Sequence, residues 1–442
     1  MKKLFALLFI LSIITSQAQV KKWTLRECVD YAIENNISIK QAELDLDQSK
    51  LSKKDAIGSF LPNLNGRASH SWNIGLAQNP VTFDAVTSTT KNLSGGISSG
   101  IDIYQGLTRV NELHRSNLSI LASQYQLENM KSDISLFVAN SFLQILFNKE
   151  QLKVLESQIA VTASDLERTK ELIDAGVVPE GDLLEVQATL SSQEQQLVIA
   201  ENALYISKLS LAQLLLITDY DNFDIVEMQY LIPESDILDQ SPELIFDKAQ
   251  ETRKEILIAE TNSKIADYDL KIARGSLQPS LTANYNFSTN YFQSDLFDTP
   301  EFETQISDNK SHSFFLQLTI PIFNRFAGRT NISRSKINLE RTKFQLEQEK
   351  LNLQSTVYQA YNDAKGALKA YEAAVKTLKA RELAYNFSQE RYNVGLLNAF
   401  DFSQSQNQYV AAQSEVVRTK YDFIFKLKVL EFYFGIPITD IN

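Results

Sequence analysis

The spacing of apolar residues changes period twice in the first half of the chain, and each change marks a different kind of element. From Leu25 to Ile57 the apolar positions recur at helical spacing, with Thr24 and Glu27 placed as a capping box, Trp23 before them, and an expected break near Asn35-Asn36. The stretch closes at Gly58-Ser59-Phe60-Leu61-Pro62, and the period then drops to two. Leu64, Ala68, Trp72, Ile74 and Leu76 share one parity, while Asn65, Arg67, Ser69, Ser71 and Asn73 share the other, which predicts a strand over 64–76. A polar, threonine-rich stretch reads as a long loop. Ile97, Ile101 and Ile103 then alternate with Ser94, Ser98 and Asp102, predicting a strand over 93–104. Both strands are at least as long as the ~9–11 residues that cross a bilayer.

Between 109 and 175 there is neither proline nor glycine, and one heptad phase persists. Leu113, Ile120, Leu127 and Ile134 fill one seam position, and Val138, Ile145, Leu152, Ile159, Leu166 and Ile173 the other. Such a helix extends about 100 Å, too long for a globular core and too polar for lipid, so it reads as a coiled-coil shaft. A turn at Gly176 and a returning helix over 181–217 follow.

After an acidic, irregular connector over 218–240 the succession recurs. A helix ends in Gly275-Ser276-Leu277-Gln278-Pro279, strands are expected over 281–292 and 311–320, a long helix over 329–394 and a last helix over 399–434. Corresponding positions stay 217–220 residues apart, so residues 19–217 and 241–442 read as two structural repeats. The paired turns make the same point. Aligning Gly176 with Gly395, inside Arg391-Tyr392-Asn393-Val394-Gly395, puts Asp182 on Asp401 and Gln187 on Gln406. Each reads as a sharp turn between antiparallel helices, with a glycine suited to positive φ and an acidic restart.

Four amphipathic strands cannot close a barrel, and open sheet edges are not tolerated in lipid. The smallest closed membrane barrels have about eight strands, so two, three or four chains must pool theirs. Asn284, Asn286, Ser288 and Gln317 then face a wet lumen, and Phe315 is the large apolar exception on that parity. The aromatic row Trp72, Tyr285, Phe287, Tyr291 and Phe314 suits a lipid interface. A soluble β-sandwich is the rival and leaves that row without a partner.

Composition narrows the function classes. A net charge of −11 argues against nucleic acid. Lys2-Lys3, the apolar run Leu4–Ile14 and Ser16-Gln17-Ala18 read as a secretory signal over residues 1–18, with no later apolar stretch long enough for a transmembrane helix. The single Cys28 excludes an internal disulfide and lies too far from the cleavage point for lipid attachment there. Three histidines, His70, His114 and His312, form no catalytic or metal-binding constellation, so neither an enzyme nor a cofactor is expected.

The Trp23-Thr24-Leu25 opening, the Pro62 and Pro279 junctions, the duplication and the Arg391–Gly395 turn with Asp401 beyond it resemble the TolC-like outer-membrane efflux proteins over essentially the whole mature chain. The resemblance implies a homotrimer in the outer membrane, with a twelve-strand barrel above a periplasmic α-barrel of long antiparallel helices. It also implies docking to a periplasmic adaptor and an inner-membrane pump. The chain would be the exit duct of a tripartite exporter, with small-molecule or metal efflux favoured over type I protein secretion or a soluble periplasmic scaffold. By the same resemblance, Asp401 matches a ring aspartate at the tunnel constriction. The second ring position falls on Gln404, which cannot ionise. Tyr392 and Asp182 match residues that hold the coiled coils closed in a member of that family, while Leu397 replaces the tip arginine of that lock.

Overall fold

The computed structural model describes residues 21–79, 81–227 and 236–438; the expected signal segment lies outside them. In chain order the elements are β1 (Lys22–Trp23), α1 (Leu25–Asn35), α2 (Ile37–Gly58), β2 (Asn65–Gln78), β3 (Ala85–Gln105), α3 (Thr108–Asp174) and α4 (Gly181–Leu214). Then follow β4 (Asp224–Ile225), α5 (Pro242–Thr252), α6 (Lys254–Gly275), β5 (Ser280–Ser294), α7 (Phe302–Asp308), β6 (Ser311–Thr319), α8 (Ala327–Asn393) and α9 (Ala399–Phe434). The chain forms two compact units, one of residues 44–125 and 258–347, the other of the remainder.

The first unit carries a four-stranded antiparallel sheet in the order β2-β3-β5-β6, so β2 and β6 are its free edges. The register sorts the faces. Ser98 pairs with Asn65 and Asn286, Asn286 pairs with Ser313, and Thr282 pairs with Gln317, so one face is polar on all four strands apart from Phe292 and Phe315. Ile97–Phe287, Tyr285–Phe314 and Ile101–Ala283–Leu316 occupy the other, where Trp72, Ile74, Leu76, Phe314 and Leu316 are all exposed.

The structure corrects the strand lengths. β3 runs from Ala85, and the expected long loop shrinks to the turn between Gln78 and Ala85, with Thr87–Lys91 paired to β2. These residues are polar on both faces, so no alternation betrays them, and backbone pairing to β2 makes them strand. Ile103, expected to continue the apolar parity, falls in a bulge between Asp102 and Tyr104. The acidic loop before β6 contains α7, whose buried Gln305 completes the edge of β5 beyond the end of β6. Its Nε2 donates to the Phe292 carbonyl and its Oε1 accepts from the Phe292 N–H, both at 2.9 Å.

The other unit is helical, with a small parallel pairing of β1 to β4 that places Asp224–Ile225 of the connector in a strand. The capping box opens α1: the Glu27 N–H donates to Thr24 Oγ1 at 3.3 Å and the Thr24 N–H to Glu27 Oε2 at 2.9 Å. The break expected near Asn35-Asn36 falls at Asn36, which adopts an extended backbone and donates from Nδ2 to the Leu214 carbonyl. A matching break at Arg253, 217 residues later, was not legible in the sequence. Lys149, buried in α3, forms ion pairs with Asp224 (2.7 Å) and Glu227 (3.2 Å), and Lys208 joins Asp224 at 3.0 Å. Burial opposes ionisation of Asp224, but these two lysines outweigh it and hold the carboxyl below the usual range.

The shaft's seam also differs from the heptad reading. Val138 and Ile145 are fully buried, whereas Leu152, Ile159, Leu166 and Ile173 are only half-buried. Toward Gly176 the buried positions of α3 are instead Gln158, Thr162, Asp165 and Thr169, a polar seam with the same four-three spacing.

Candidate functional site

Both helical hairpins end in Schellman turns. At the first, the Gly176 N–H donates to the Ile173 carbonyl and Val177 N–H to that of Leu172; at the second, Gly395 and Leu396 donate to Tyr392 and Arg391. This geometry requires positive φ, +72° at Gly176 and +75° at Gly395, which glycine adopts without the steric penalty of a Cβ. A Cβ at Gly395 would also lie 3.3 Å from Val177 Cγ1, so the second turn rests closely on the first.

Asn398 restarts the chain as the N-cap of α9. Its Oδ1 accepts from the Asp401 N–H at 2.8 Å, and its Nδ2 donates to Asp401 Oδ2 at 3.0 Å. Asp401 is thereby oriented while its side chain stays in solvent, and Gln404, one turn on, is also exposed. Asp182 lies across the interface: its Oδ2 accepts from the Ala399 N–H at 3.4 Å, so a carboxylate of one hairpin serves the helix start of the other.

Behind the tips is a packed aromatic column. Tyr392 stacks on Phe402 with ring centres 4.7 Å apart and planes within 2°, Tyr385 stacks on Phe402, and Tyr409 stacks on Tyr385 at 5.2 Å. Val186, Ala399 and half-buried Leu397 and Leu166 complete the cluster. Tyr392 is 1% exposed, and its hydroxyl lies 2.8 Å from Thr169 Oγ1. Thr169 already donates to the Asp165 carbonyl, so Tyr392 is the donor in this bond. Below it, Gln406 Nε2 donates to Thr162 Oγ1 at 3.2 Å and reaches Asp165 Oδ2 at 3.4 Å. Burial pushes the Asp165 carboxyl up to about 6, with Arg168 and the Gln406 bond pulling it partly back. Burial, reinforced by the charge of Asp165, likewise raises the Tyr385 phenol to about 12.

The sequence-predicted tip residues Gly176, Asp182, Tyr392, Gly395, Leu397 and Asp401 therefore gather at one end of the helical unit. Tyr392 and Asp182 form no hydrogen bond with each other: the phenol bonds Thr169 and the carboxylate caps α9. Leu397 contributes apolar packing to the cluster. The strand residues Asn284, Asn286, Ser288 and Gln317 lie on the polar face of the sheet, in the other unit. Thr162, Asp165, Thr169 and Gln406 were missed. Their heptad spacing was visible, but polar residues in that pattern read as a solvated face.

A family model described as outer membrane efflux protein matches residues 28–215 and 245–435, most of the chain. The chain belongs to the outer membrane efflux protein family. It is similar to outer membrane protein TolC of Vibrio cholerae, 22% identical over 437 residues that cover 97% of this chain and 94% of that protein. It is 22% identical over 405 residues to the pyoverdine export outer membrane protein OpmQ of Pseudomonas aeruginosa, covering 88% and 80%. The solved structure of the outer-membrane channel OprN superposes with a TM-score of 0.78 at 16% identity, covering 94% of this chain and 90% of that one. As an outer membrane efflux protein the chain is a transport duct and not an enzyme. It resides in the outer membrane with a periplasmic helical tunnel, as a homotrimer working with a periplasmic adaptor and an inner-membrane pump.

Proposed function

We propose that the paired hairpin tips are the closed periplasmic mouth of this duct and that the duct exports small molecules. The observation that carries the first part is the interlock between hairpins: Asp182 of one caps the helix start of the other, and Tyr392 is sealed against Thr169 and Phe402. Such contacts must break if the hairpins are to separate, so they set the free-energy gap between a closed and an open mouth. Asp401, exposed beside them, supplies one carboxylate per chain to a ring of three, and Gln404 leaves the second ring uncharged. The Asn284, Asn286, Ser288 and Gln317 face lines the passage through the membrane. The two halves are read as duplicated repeats, 19–217 and 241–442, preceded by an export signal over 1–18. Small-molecule cargo is supported by the pyoverdine exporters among the relatives.

The ring is tested in planar bilayers. Asp401→Ala should weaken block by periplasmic-side divalent cations, and Gln404→Asp should strengthen it; unchanged block in both variants would refute the ring. For the cargo, a deletion strain should become sensitive to small toxic compounds while its secreted proteins remain unchanged. The opposite pattern would favour protein secretion.

A further inference from the structure

The polar face of the sheet holds one feature that a neutral wet lining does not explain. Two ionised side chains occupy it, Arg67 on β2 and Asp102 on β3. Asp102 is neutralised by an ion pair with Arg109. The Arg67 side chain is exposed and makes no hydrogen bond or ion pair among the described residues. Asp102 lies six residues along β3 from the position opposite Arg67, roughly 20 Å away at the usual rise, so it offers no compensation.

The surroundings of Arg67 are built to leave room over it. Its cross-strand partner is Gly96, flanked by Gly95. A Cβ at Gly96 would come 2.5 Å from the Phe287 carbonyl oxygen, so the floor is held at backbone level. Arg67 lines one shallow cavity there with Ser94, Ser98, Asn286 and Ser288. A guanidinium, three hydroxyls and a carboxamide thus converge over a bare backbone, with no carboxylate on the polar face of β2, β5 or β6. A forked cation beside neutral donors is the donor set that carboxylates, phosphates and sulfates bind. A fixed charge on the wall of a passage concentrates counter-ions near it.

We infer that Arg67, over Gly96 and between Ser94, Ser98 and Asn286, forms an anion-binding site on the lumen wall, repeated three times in the trimer, that favours passage of anionic small molecules. The inference rests on the reading of this face as the lumen. It gives the duct two sites of opposite charge preference, Asp401 at the mouth and Arg67 in the barrel.

Arginine-specific labelling of the detergent-solubilised trimer with phenylglyoxal, quantified by peptide mass spectrometry, tests the site whether or not the mouth is open. Arg67 should react, and citrate should slow its reaction at least fivefold while leaving exposed Arg329 unchanged. Equal labelling with and without citrate would overturn the anion site. An Arg67 unreactive in both conditions would overturn the lumen reading beneath it. In reconstituted channels under a salt gradient, Arg67→Glu should lower the chloride-to-potassium permeability ratio at least threefold and Arg67→Lys should largely preserve it. An unchanged ratio in Arg67→Glu counts against the site.

Discussion

Replacing Tyr392 by Phe separates the latch from the packing that surrounds it. The ring is retained, so the stack on Phe402 at 4.7 Å survives, and only the hydroxyl bonded to Thr169 is lost. Thr169 keeps its bond to the Asp165 carbonyl, so no buried donor is orphaned. The net loss is that of one buried neutral hydrogen bond, about 1 kcal/mol. If the bond exists only in the closed mouth, the open-to-closed ratio rises about fivefold per chain. Three chains opening in concert would multiply this to about 150-fold, whereas independent opening leaves it at about fivefold. Tyr392→Ala is less informative, since truncating a buried aromatic costs about 3–5 kcal/mol and would disturb the whole cluster. The assay is single-channel open probability in planar bilayers, with trimer thermal stability as the control. Thr169→Val should open at least as often, because it leaves the buried Tyr392 hydroxyl without its acceptor, and the double variant should be less than additive. If Tyr392→Phe opened no more often than the parent at equal stability, the hydroxyl would not be part of the latch.

Two further outcomes follow from the same region. The Asp165 carboxyl titrates near 6 in the folded tip against about 3.9 in an unfolded chain, so the native state binds the proton more tightly. Protonation therefore favours the closed tip, and its stability should fall as pH rises from about 4 through about 6, facing Arg168, Gln406, Tyr385 and Tyr392. Hydrogen exchange of tip amides should show this slope in the parent, and Asp165→Asn should flatten it; an unaltered slope would assign the effect elsewhere. For the turns, Gly176→Ala should destabilise by about 1 kcal/mol from positive φ alone, since a Cβ there meets nothing within 4 Å. Gly395→Ala should lose more because its Cβ would press on Val177, and equal melting temperatures for the two variants would contradict that packing.

What the sequence determined by itself was the order and kind of the elements and the place of the two hairpin turns. Period, breakers and caps act over a few residues, so the capping box at Thr24, the junctions at Pro62 and Pro279 and the turns at Gly176 and Gly395 were legible without contacts. The tertiary structure decided what depends on partners far away in the chain. Thr87–Lys91 are strand because β2 pairs with them, although neither face of that stretch is apolar. Which side of α3 is buried near the tip is settled by Tyr392 and Gln406, more than 200 residues later, whose polar atoms make Asp165 and Thr169 better buried partners than the isoleucine seam beside them. Asp182 likewise reads as a first-turn acid of its own helix, and only the fold places its carboxylate on the N-terminus of α9. Local chemistry wrote the list of parts; the long-range hydrogen bonds chose which faces meet.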